Sequence, residues 1–194
     1  MTRREVASGH ISRLLNHGPT VLICAAHEGR RNVMAAAWSM PVEFSPPRVA
    51  VVIDKSTYTR ELISTSRTLA LSIPCVAQAD VVFSVGSLSG RDLAQPGEDK
   101  FSRFGLQTRL SPQLQLPWIE GCVAWMEGRV LNEPSSESSY DTFFVEMVSA
   151  QADERVFSDG RWHFDRVPGA LRTLHHLGGG SFTTPGDGIQ AQKL

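Results

Sequence analysis

Short apolar segments separated by polar turns limit what this chain can fold into. Six of them have the alternating or continuous apolar pattern of a β-strand, and they span residues 20–27, 32–40, 48–54, 68–74, 119–131 and 142–151. The helical patterns between them are few and short. This arrangement predicts a mainly β fold, a closed antiparallel barrel with small helical additions.

Turn residues and apolar spacing also predict two local structures, a hairpin and a short helix. The polar turn at residues 28–31 joins the first two strands, which predicts a β-hairpin. Residues 76–85 have the spacing of a short helix, and we expect that helix to bury Val82 and Phe83.

Length and charge restrict the class of protein. The 194 residues suit one domain, which we expect to span residues 1–194, with its core at about 10–167 and a Gly-rich arm and tail at 168–194. The 19 Lys and Arg nearly balance the 20 Asp and Glu, which argues against a nucleic-acid binder that neutralises phosphates broadly. No apolar segment reaches the roughly 20 residues of a membrane helix, so we expect a cytoplasmic protein without a membrane partner.

Cysteine and histidine give no metal signature. Cys24, Cys75 and Cys122 lack the short spacing of a zinc site, and their odd number fits a reducing compartment. His175 and His176 are adjacent, and neighbouring side chains make a poor chelate because they share no face of a helix or strand. They either end a helix that a following glycine caps, or place one imidazole against a ligand in a groove.

The strongest chemical signal lies between a predicted strand and a predicted helix, where Asp54, Lys55, Ser56, Thr57 and Thr59 follow one another closely. The start of a helix exposes unpaired N–H groups and about half a positive charge, so this segment can bind a phosphate. The alternative is ordinary capping, with Ser56 or Thr57 as the N-cap and Lys55 in solvent. The dinucleotide fingerprint, the Walker phosphate loop and the Gly-x-Ser-x-Gly elbow are absent from the sequence.

Several motifs, taken together and in order, resemble those of one known family. They are Asn32-Val33-Met34-Ala35-Ala36-Ala37-Trp38, residues 47–53 with Ser56-Thr57-Tyr58-Thr59, Ser89-Gly90-Arg91-Asp92 with Asp99-Lys100-Phe101, and Ile119-Glu120-Gly121-Cys122. The chain is thereby similar to the flavin reductase-like, FMN-binding split-barrel family, which includes flavoredoxin-type proteins. Two features depart from the family pattern: Ala35 replaces a hydroxyl residue, and residues 93–98 lengthen one loop.

The resemblance implies an antiparallel split β-barrel that binds FMN, with FAD less favoured, near the interface of a homodimer. The strand that contains Ala36 and Ala37 would lie along the flavin ring, because small side chains let a ligand approach the backbone closely. It implies no catalytic side chain and no metal. The implied cofactor-binding residues are Asn32, Met34, Ala35, Ala36, Ala37, Trp38, Ser39, Asp54, Lys55, Ser56, Thr57, Thr59, Ser89, Gly90, Arg91 and Lys100.

A flavin carries the redox chemistry itself, while the protein supplies position and electrostatics. The resemblance therefore implies an oxidoreductase in which NADH or NADPH reduces FMN, and FMN reduces a second acceptor such as a redox protein or a partner monooxygenase. Two alternatives remain at this stage. One is a flavin-binding split barrel without turnover, and the other is a pyridoxamine-phosphate oxidase-like flavoprotein.

Aromatic residues give the homodimer a further argument. One strand of small residues cannot enclose a flat ring on both sides, and we expect no second domain to supply the other wall. Trp118, Trp125 and Phe143 would then be available to cover an interface, where Trp and Phe are enriched. The alternative is that all three fill the barrel.

Overall fold

An antiparallel sheet forms the body of the protein, and the computed structural model describes residues 2–93 and 97–193. The strands are β1 (Arg3–Glu5), β2 (Val21–His27), β3 (Arg30–Ala36), β4 (Ser39–Phe44), β5 (Pro47–Val52), β6 (Thr68–Ile73), β7 (Thr108–Leu110), β8 (Pro117–Ile119), β9 (Ala124–Val130), β10 (Thr142–Asp153), β11 (Phe157–Ser158), β12 (Arg161–Trp162), β13 (His175–Gly178) and β14 (Ser181–Thr183). The α-helices are α1 (Tyr58–Ser66), α2 (Ala79–Gly86), α3 (Lys100–Arg103) and α4 (Pro134–Tyr140). Short 3₁₀ helices occupy Ser8–Leu15, Val76–Gln78, Gly90–Asp92, Phe164–Arg166 and Gly169–Leu171.

The long strand β10 connects the two halves of the main sheet. Within the described residues, that sheet has the order β3-β2-β6-β9-β10-β5-β4, and β1 also pairs with β10. Residues 142–146 of β10 pair with β5, and residues 151–153 pair with β1. A register shift between Met147 and Ser149 separates these two parts. Such an irregularity bends a strand, so the sheet can curve around a core. The predicted hairpin of β2 and β3 is confirmed.

The buried apolar residues of the described chain form two clusters, one on each side of the sheet. Leu69, Leu71 and Phe143 belong to the first cluster, and Trp118 and Trp125 belong to the second. Trp118, Trp125 and Phe143 are each 0% exposed. The prediction that these three residues cover an interface is therefore wrong, because a single chain already buries them in its own core.

Two predicted long strands are in fact interrupted. The segment predicted at 32–40 divides into β3 and β4, with a break at Ala37 and Trp38. The segment predicted at 119–131 divides into β8 and β9, and the turn between them places Gly121 at a φ of +84°, a conformation that favours glycine. Apolar runs therefore predicted the presence of these strands but not their breaks.

Two predictions about the helices also differ from the structure. Phe83 on α2 is 50% exposed, whereas its neighbour Val82 is buried as expected, because adjacent helical residues point about 100° apart. The histidines do not end a helix: His175 and His176 begin β13, which pairs with β14 in a C-terminal hairpin. Of the lengthened loop, residues 94–96 lie outside the described part of the chain. None of the helices in residues 2–93 and 97–193 is long and apolar enough to cross a membrane.

Candidate functional site

A pair of adjoining cavities lies along β3, and the residues Ala35, Gly86 and Ser87 line both of them. The loop pocket has a volume of about 220 Å³ and is lined by Asn32, Met34, Ala35, Ser56, Thr57, Tyr58, Thr59, Val85, Gly86, Ser87, Leu88, Ser89, Gly90 and Lys100. The hairpin pocket has a volume of about 250 Å³ and is lined by Thr20, Ala35, Ala36, Ala37, Val82, Phe83, Gly86, Ser87, His176, Gly179, Gly180 and Phe182.

The start of α1 forms one side of the loop pocket, and side chains of the preceding turn cap this helix. The Thr57 hydroxyl is the N-cap and accepts a hydrogen bond from the backbone N–H of Arg60 at 3.3 Å. The carboxylate of Asp54 accepts the backbone N–H and the hydroxyl of Ser56, at 2.7 and 2.6 Å. These two hydrogen bonds lower the pKa of Asp54 below its usual value. Both Ser56 and Thr57 therefore use their hydroxyls within the turn itself.

Capping leaves other donors at this helix start available to a ligand. The first N–H groups of a helix have no partner inside it, and the cap satisfies that of Arg60 rather than those of Tyr58 and Thr59. The buried Thr59 hydroxyl accepts from the Asn32 side-chain amide at 2.8 Å, which leaves its hydrogen free to donate.

The chain approaches this site closely from the opposite side, at Gly90. A Cβ atom at Gly90 would lie 2.4 Å from Oδ1 of Asn32 and 2.9 Å from the Tyr58 ring, so a residue without a side chain is required there. The neighbouring Ser89 hydroxyl accepts the backbone N–H of Arg91 at 3.2 Å. Its own hydrogen can still be donated to a ligand.

Lys100 supplies the positive charge of the loop pocket. It is 3% exposed, and its Nζ donates to the backbone carbonyl of Val85 at 2.8 Å. Burial lowers the pKa of Lys100 to about 8, because an ammonium loses solvation away from water. A buried cation whose partner is a neutral carbonyl favours an anionic ligand.

The hairpin pocket has a different chemical character. Small residues of β3, among them Ala36 and Ala37, line one side, and the aromatic rings of Phe83 and Phe182 line others. The rings of His176 and Phe182 are 5.5 Å apart. Such a mostly apolar cavity with small and aromatic lining residues suits a flat ring.

The structure brings most of the predicted site residues together, and it divides them between the two cavities. Nine of them line the loop pocket: Asn32, Met34, Ala35, Ser56, Thr57, Thr59, Ser89, Gly90 and Lys100. Ala35, Ala36 and Ala37 line the hairpin pocket. Five lie outside both cavities, namely Trp38, Ser39, Asp54, Lys55 and Arg91.

The two outlying cations, Lys55 and Arg91, are each paired with a carboxylate. Nζ of Lys55 is 3.5 Å from the Asp141 carboxylate, next to α4, and neither residue lines the loop pocket. Arg91 forms an ion pair with Glu61 at 2.9 Å and donates to the backbone carbonyl of Ser56 at 2.5 Å, so it borders the loop pocket without lining it. Trp38 is 74% exposed, and Ser39 is buried at the start of β4. These side chains line neither cavity, and their predicted role in binding the cofactor stays a prediction.

Several lining residues were not among the predicted site residues. They are Thr20, Tyr58, Val82, Phe83, Val85, Gly86, Ser87, Leu88, His176, Gly179, Gly180 and Phe182. For His176, contact with a ligand in a groove was one of two interpretations. Thr20, Phe83 and Phe182 are distant in sequence, so no local spacing could have grouped them.

Comparison with known proteins identifies the family. A family model described as flavin reductase like domain matches residues 12–171. An uncharacterized protein of Escherichia coli (strain K12), YddH, is 55% identical over 185 residues, which cover 94% of each chain. The FMN-binding domain of a flavin reductases-like enzyme from Shewanella baltica OS155 is 40% identical and matches with a TM-score of 0.93, covering 98% of both chains.

A more distant structure shows the same fold. Flavoredoxin of Desulfovibrio vulgaris (Miyazaki F) is 22% identical, with a TM-score of 0.75 over 90% of each chain. Together with the antiparallel topology, these matches confirm the predicted mainly β split barrel. Because the family model covers most of the sequence, this chain belongs to the flavin reductase-like family.

Proposed function

We propose that this protein is an oxidoreductase that binds FMN across the loop pocket and the hairpin pocket. One observation carries the proposal: a cavity with anion-binding donors adjoins a cavity with small and aromatic walls, and the two share Ala35, Gly86 and Ser87. A ligand with a phosphate at one end and a flat ring at the other matches this pair. FMN has that shape.

The loop pocket would hold the phosphate. The donors available there are the Thr59 and Ser89 hydroxyls, the first N–H groups of α1 and the ammonium of Lys100. Hydrogen bonds from a charged donor to a phosphate are stronger than neutral ones. We therefore propose that Lys100, one of the implied cofactor-binding residues, binds the phosphate rather than the ring.

The hairpin pocket would hold the ring. Ala36 and Ala37 allow the ring to approach β3, and Gly86 keeps the connection between the cavities open. A Cβ atom at Gly86 would stand 3.4 Å from Cβ of Ala35, and a longer side chain would fill the passage.

Bound FMN would supply the hydride and electron transfer. The protein's own residues would bind the phosphate, orient the ring and exclude water from the covered side. We infer that NADH or NADPH is the electron donor, and that a redox protein or a partner monooxygenase is the acceptor. The pyridoxamine-phosphate oxidase-like alternative loses support, because the family model that matches is the flavin reductase one.

An anaerobic titration tests this proposal. We expect the purified protein to take up one FMN per chain, with the yellow absorption bands of bound flavin, and we expect NADH or NADPH to bleach them. Absence of FMN uptake would overturn the proposal. FMN uptake without bleaching by either donor would favour a flavin-binding module without turnover.

We further propose that a second copy of the chain covers the edge strand β4. Apolar residues at alternating positions are unusually exposed there: Trp38 at 74%, Met40 at 58%, Val42 at 43% and Phe44 at 67%. Exposed apolar patches of this kind mark interaction surfaces. Trp38 directly follows Ala37, which lines the hairpin pocket, so a homodimer would adjoin the ring end of the site.

Light scattering tests the homodimer. We expect about twice the chain mass of 21.3 kDa, and the variant Phe44→Glu should shift the protein toward the monomer. A wild-type monomer that keeps full FMN affinity on dilution would show that one chain forms the site alone.

A further inference from the structure

The C-terminal hairpin of β13 and β14 is held firmly at its base. Thr173 and Leu174, which precede β13, are buried. The backbone N–H of Thr20 donates to the carbonyl of Leu174 at 2.7 Å, and that of Val76 donates to the carbonyl of Arg172 at 2.9 Å. The hairpin is thus attached to two separate parts of the molecule before it reaches the pocket.

Its tip rests on helix α2. Gly180 has a φ of +80°, and a Cβ atom there would lie 2.8 Å from the ring of Phe83. Phe182 on β14 packs against the second buried cluster. Because base and tip are both in contact with the body of the protein, the hairpin forms a fixed wall of the hairpin pocket.

The two adjacent histidines of β13 have separate roles, since successive residues of a strand point to opposite faces. His175 packs against His17, with 5.2 Å between the ring centres, and so belongs to the base of the hairpin. His176 lines the pocket beside Phe182. A polar ring is thereby placed beside the aromatic ring of Phe182 in the pocket wall.

Thr20 provides a second, independent observation at the same cavity. It lines the hairpin pocket and is 3% exposed, and its hydroxyl has no hydrogen-bond partner among the residues that the structure describes. A buried hydroxyl without a partner is destabilising. Such a group is expected where a ligand completes the hydrogen bond.

We propose that the Thr20 hydroxyl and the His176 imidazole hydrogen-bond the polar edge of the flavin ring. The inference rests on the proposed function and adds a second polar end to the site. The pyrimidine edge of the ring has two carbonyl acceptors and one N–H donor. A threonine hydroxyl donates and accepts, and an imidazole N–H donates, so these two side chains match that edge.

Flavin titrations with Thr20→Val test the first contact. Valine keeps the shape and removes the hydroxyl, so we expect FMN and riboflavin to bind about three- to tenfold more weakly, by equal factors. The melting temperature of the flavin-free protein should stay level or rise, because the unpartnered hydroxyl is gone. Ser12→Ala is the matched control: its buried hydroxyl also lacks a partner within the described chain but lies outside both cavities, so flavin affinity should not change.

His176→Phe tests the second contact, and Leu177→Ala is its control. Leu177 is the next residue of β13, is 66% exposed and does not line the pocket. We expect His176→Phe to weaken FMN and riboflavin equally by about threefold or more, His176→Gln to restore part of the loss, and Leu177→Ala to have no effect.

The outcomes separate this inference from the proposed function. Wild-type FMN binding that neither Thr20→Val nor His176→Phe alters, in proteins that melt normally, would overturn the inference and leave the proposed function in place. A loss confined to FMN, with riboflavin unaffected, would place these residues at the phosphate and overturn the inference as well. A wild-type protein that binds neither flavin would overturn both.

Discussion

The loop pocket and the hairpin pocket adjoin each other, yet the chain builds them in different ways. The loop pocket takes its donors from a strand-turn-helix segment at 56–59, from 89–90 and from Lys100. The hairpin pocket collects residue 20, residues 35–37, residues 82–83 and 86–87, and the distant C-terminal hairpin. An anion site needs clustered hydroxyls and cations at a helix start, which the sequence displays. A cavity for a flat ring needs only space between apolar residues. Because those residues come from distant segments, no local sequence pattern predicts it.

A basic side chain with a lowered pKa lies at the loop pocket and another lies at the base of the hairpin, and they make the protein sensitive to high pH and to low pH respectively. Lys100 faces the loop pocket with a pKa lowered to about 8, so its charge is lost as the pH rises. His17 lies at the base of the hairpin, where burial and then the nearby His175 lower its pKa to about 3. His17 is therefore neutral in the fold, and acid opposes its burial.

Removal of the buried charge of Lys100 should produce the largest difference between FMN affinity and riboflavin affinity. We expect Lys100→Met to weaken FMN binding by about 10- to 100-fold, because a hydrogen bond to a charged group contributes about 1.5–3 kcal/mol. Riboflavin, which lacks the phosphate, should bind within about twofold of wild type. Fluorescence titrations with both flavins give the comparison.

Arg103→Met is the control for this prediction. Arg103 belongs to the same helix α3, but its side chain is 56% exposed and forms an ion pair with Glu98 at 3.4 Å. Its removal should leave both affinities unchanged. Equal weakening of FMN and riboflavin by Lys100→Met would instead place Lys100 beside the ring.

The next largest change in FMN affinity is expected at Thr59, and it should exceed the change at the nearby Ser56. Thr59→Val removes a donor that is free in this structure, and we expect FMN binding to weaken about tenfold. Ser56→Ala removes a hydroxyl that already donates to Asp54, so its effect should be a few-fold at most. The double variant Ser56→Ala with Thr59→Ala should weaken the binding of FMN more than the binding of riboflavin. A larger loss for Ser56→Ala than for Thr59→Val would contradict this order.

Acid should act on the hairpin rather than on the phosphate end. The folded pKa of His17 lies below its ordinary value of 6.5, so its contribution to stability is complete above that pH and is lost as the pH falls toward 3. The slope reaches at most about 1.4 kcal/mol per pH unit. Urea unfolding at pH 7.5 and pH 5 should therefore show a larger loss for wild type than for His17→Gln. Equal losses would show that His17 titrates normally.

The smallest effect is expected at Arg91, whose ion pair with Glu61 is exposed by 44% and 45%. Exposed pairs contribute about 0–1 kcal/mol. Arg91→Gln should therefore change the free energy of unfolding by less than about 1 kcal/mol and FMN affinity by less than about threefold. A tenfold loss specific to FMN in the same titrations would contradict this prediction and place Arg91 at the phosphate.

Residues close together in sequence were predicted well, and residues joined by packing were not. The β2–β3 hairpin and the buried position of Val82 followed from local pattern. Phe83 was expected to be buried, but it stands at the cavity wall, where Gly180 of the distant hairpin packs against it. Trp118 and Trp125 were assigned to an interface because the sequence shows that large apolar residues are present. It does not show which residues they pack against.

The sequence by itself determined that this chain forms an antiparallel barrel with small helices, and that a hydroxyl-rich helix start lies beside a strand of small residues. These features depend on the period of apolar residues and on capping, which act over a few positions. The tertiary structure alone decided which hydroxyls remain free, which cation is buried in the cavity, and that Thr20 and His176 share it. The last of these facts depends on chain segments more than 150 residues apart in sequence, which meet only when the C-terminal hairpin packs against the body of the protein.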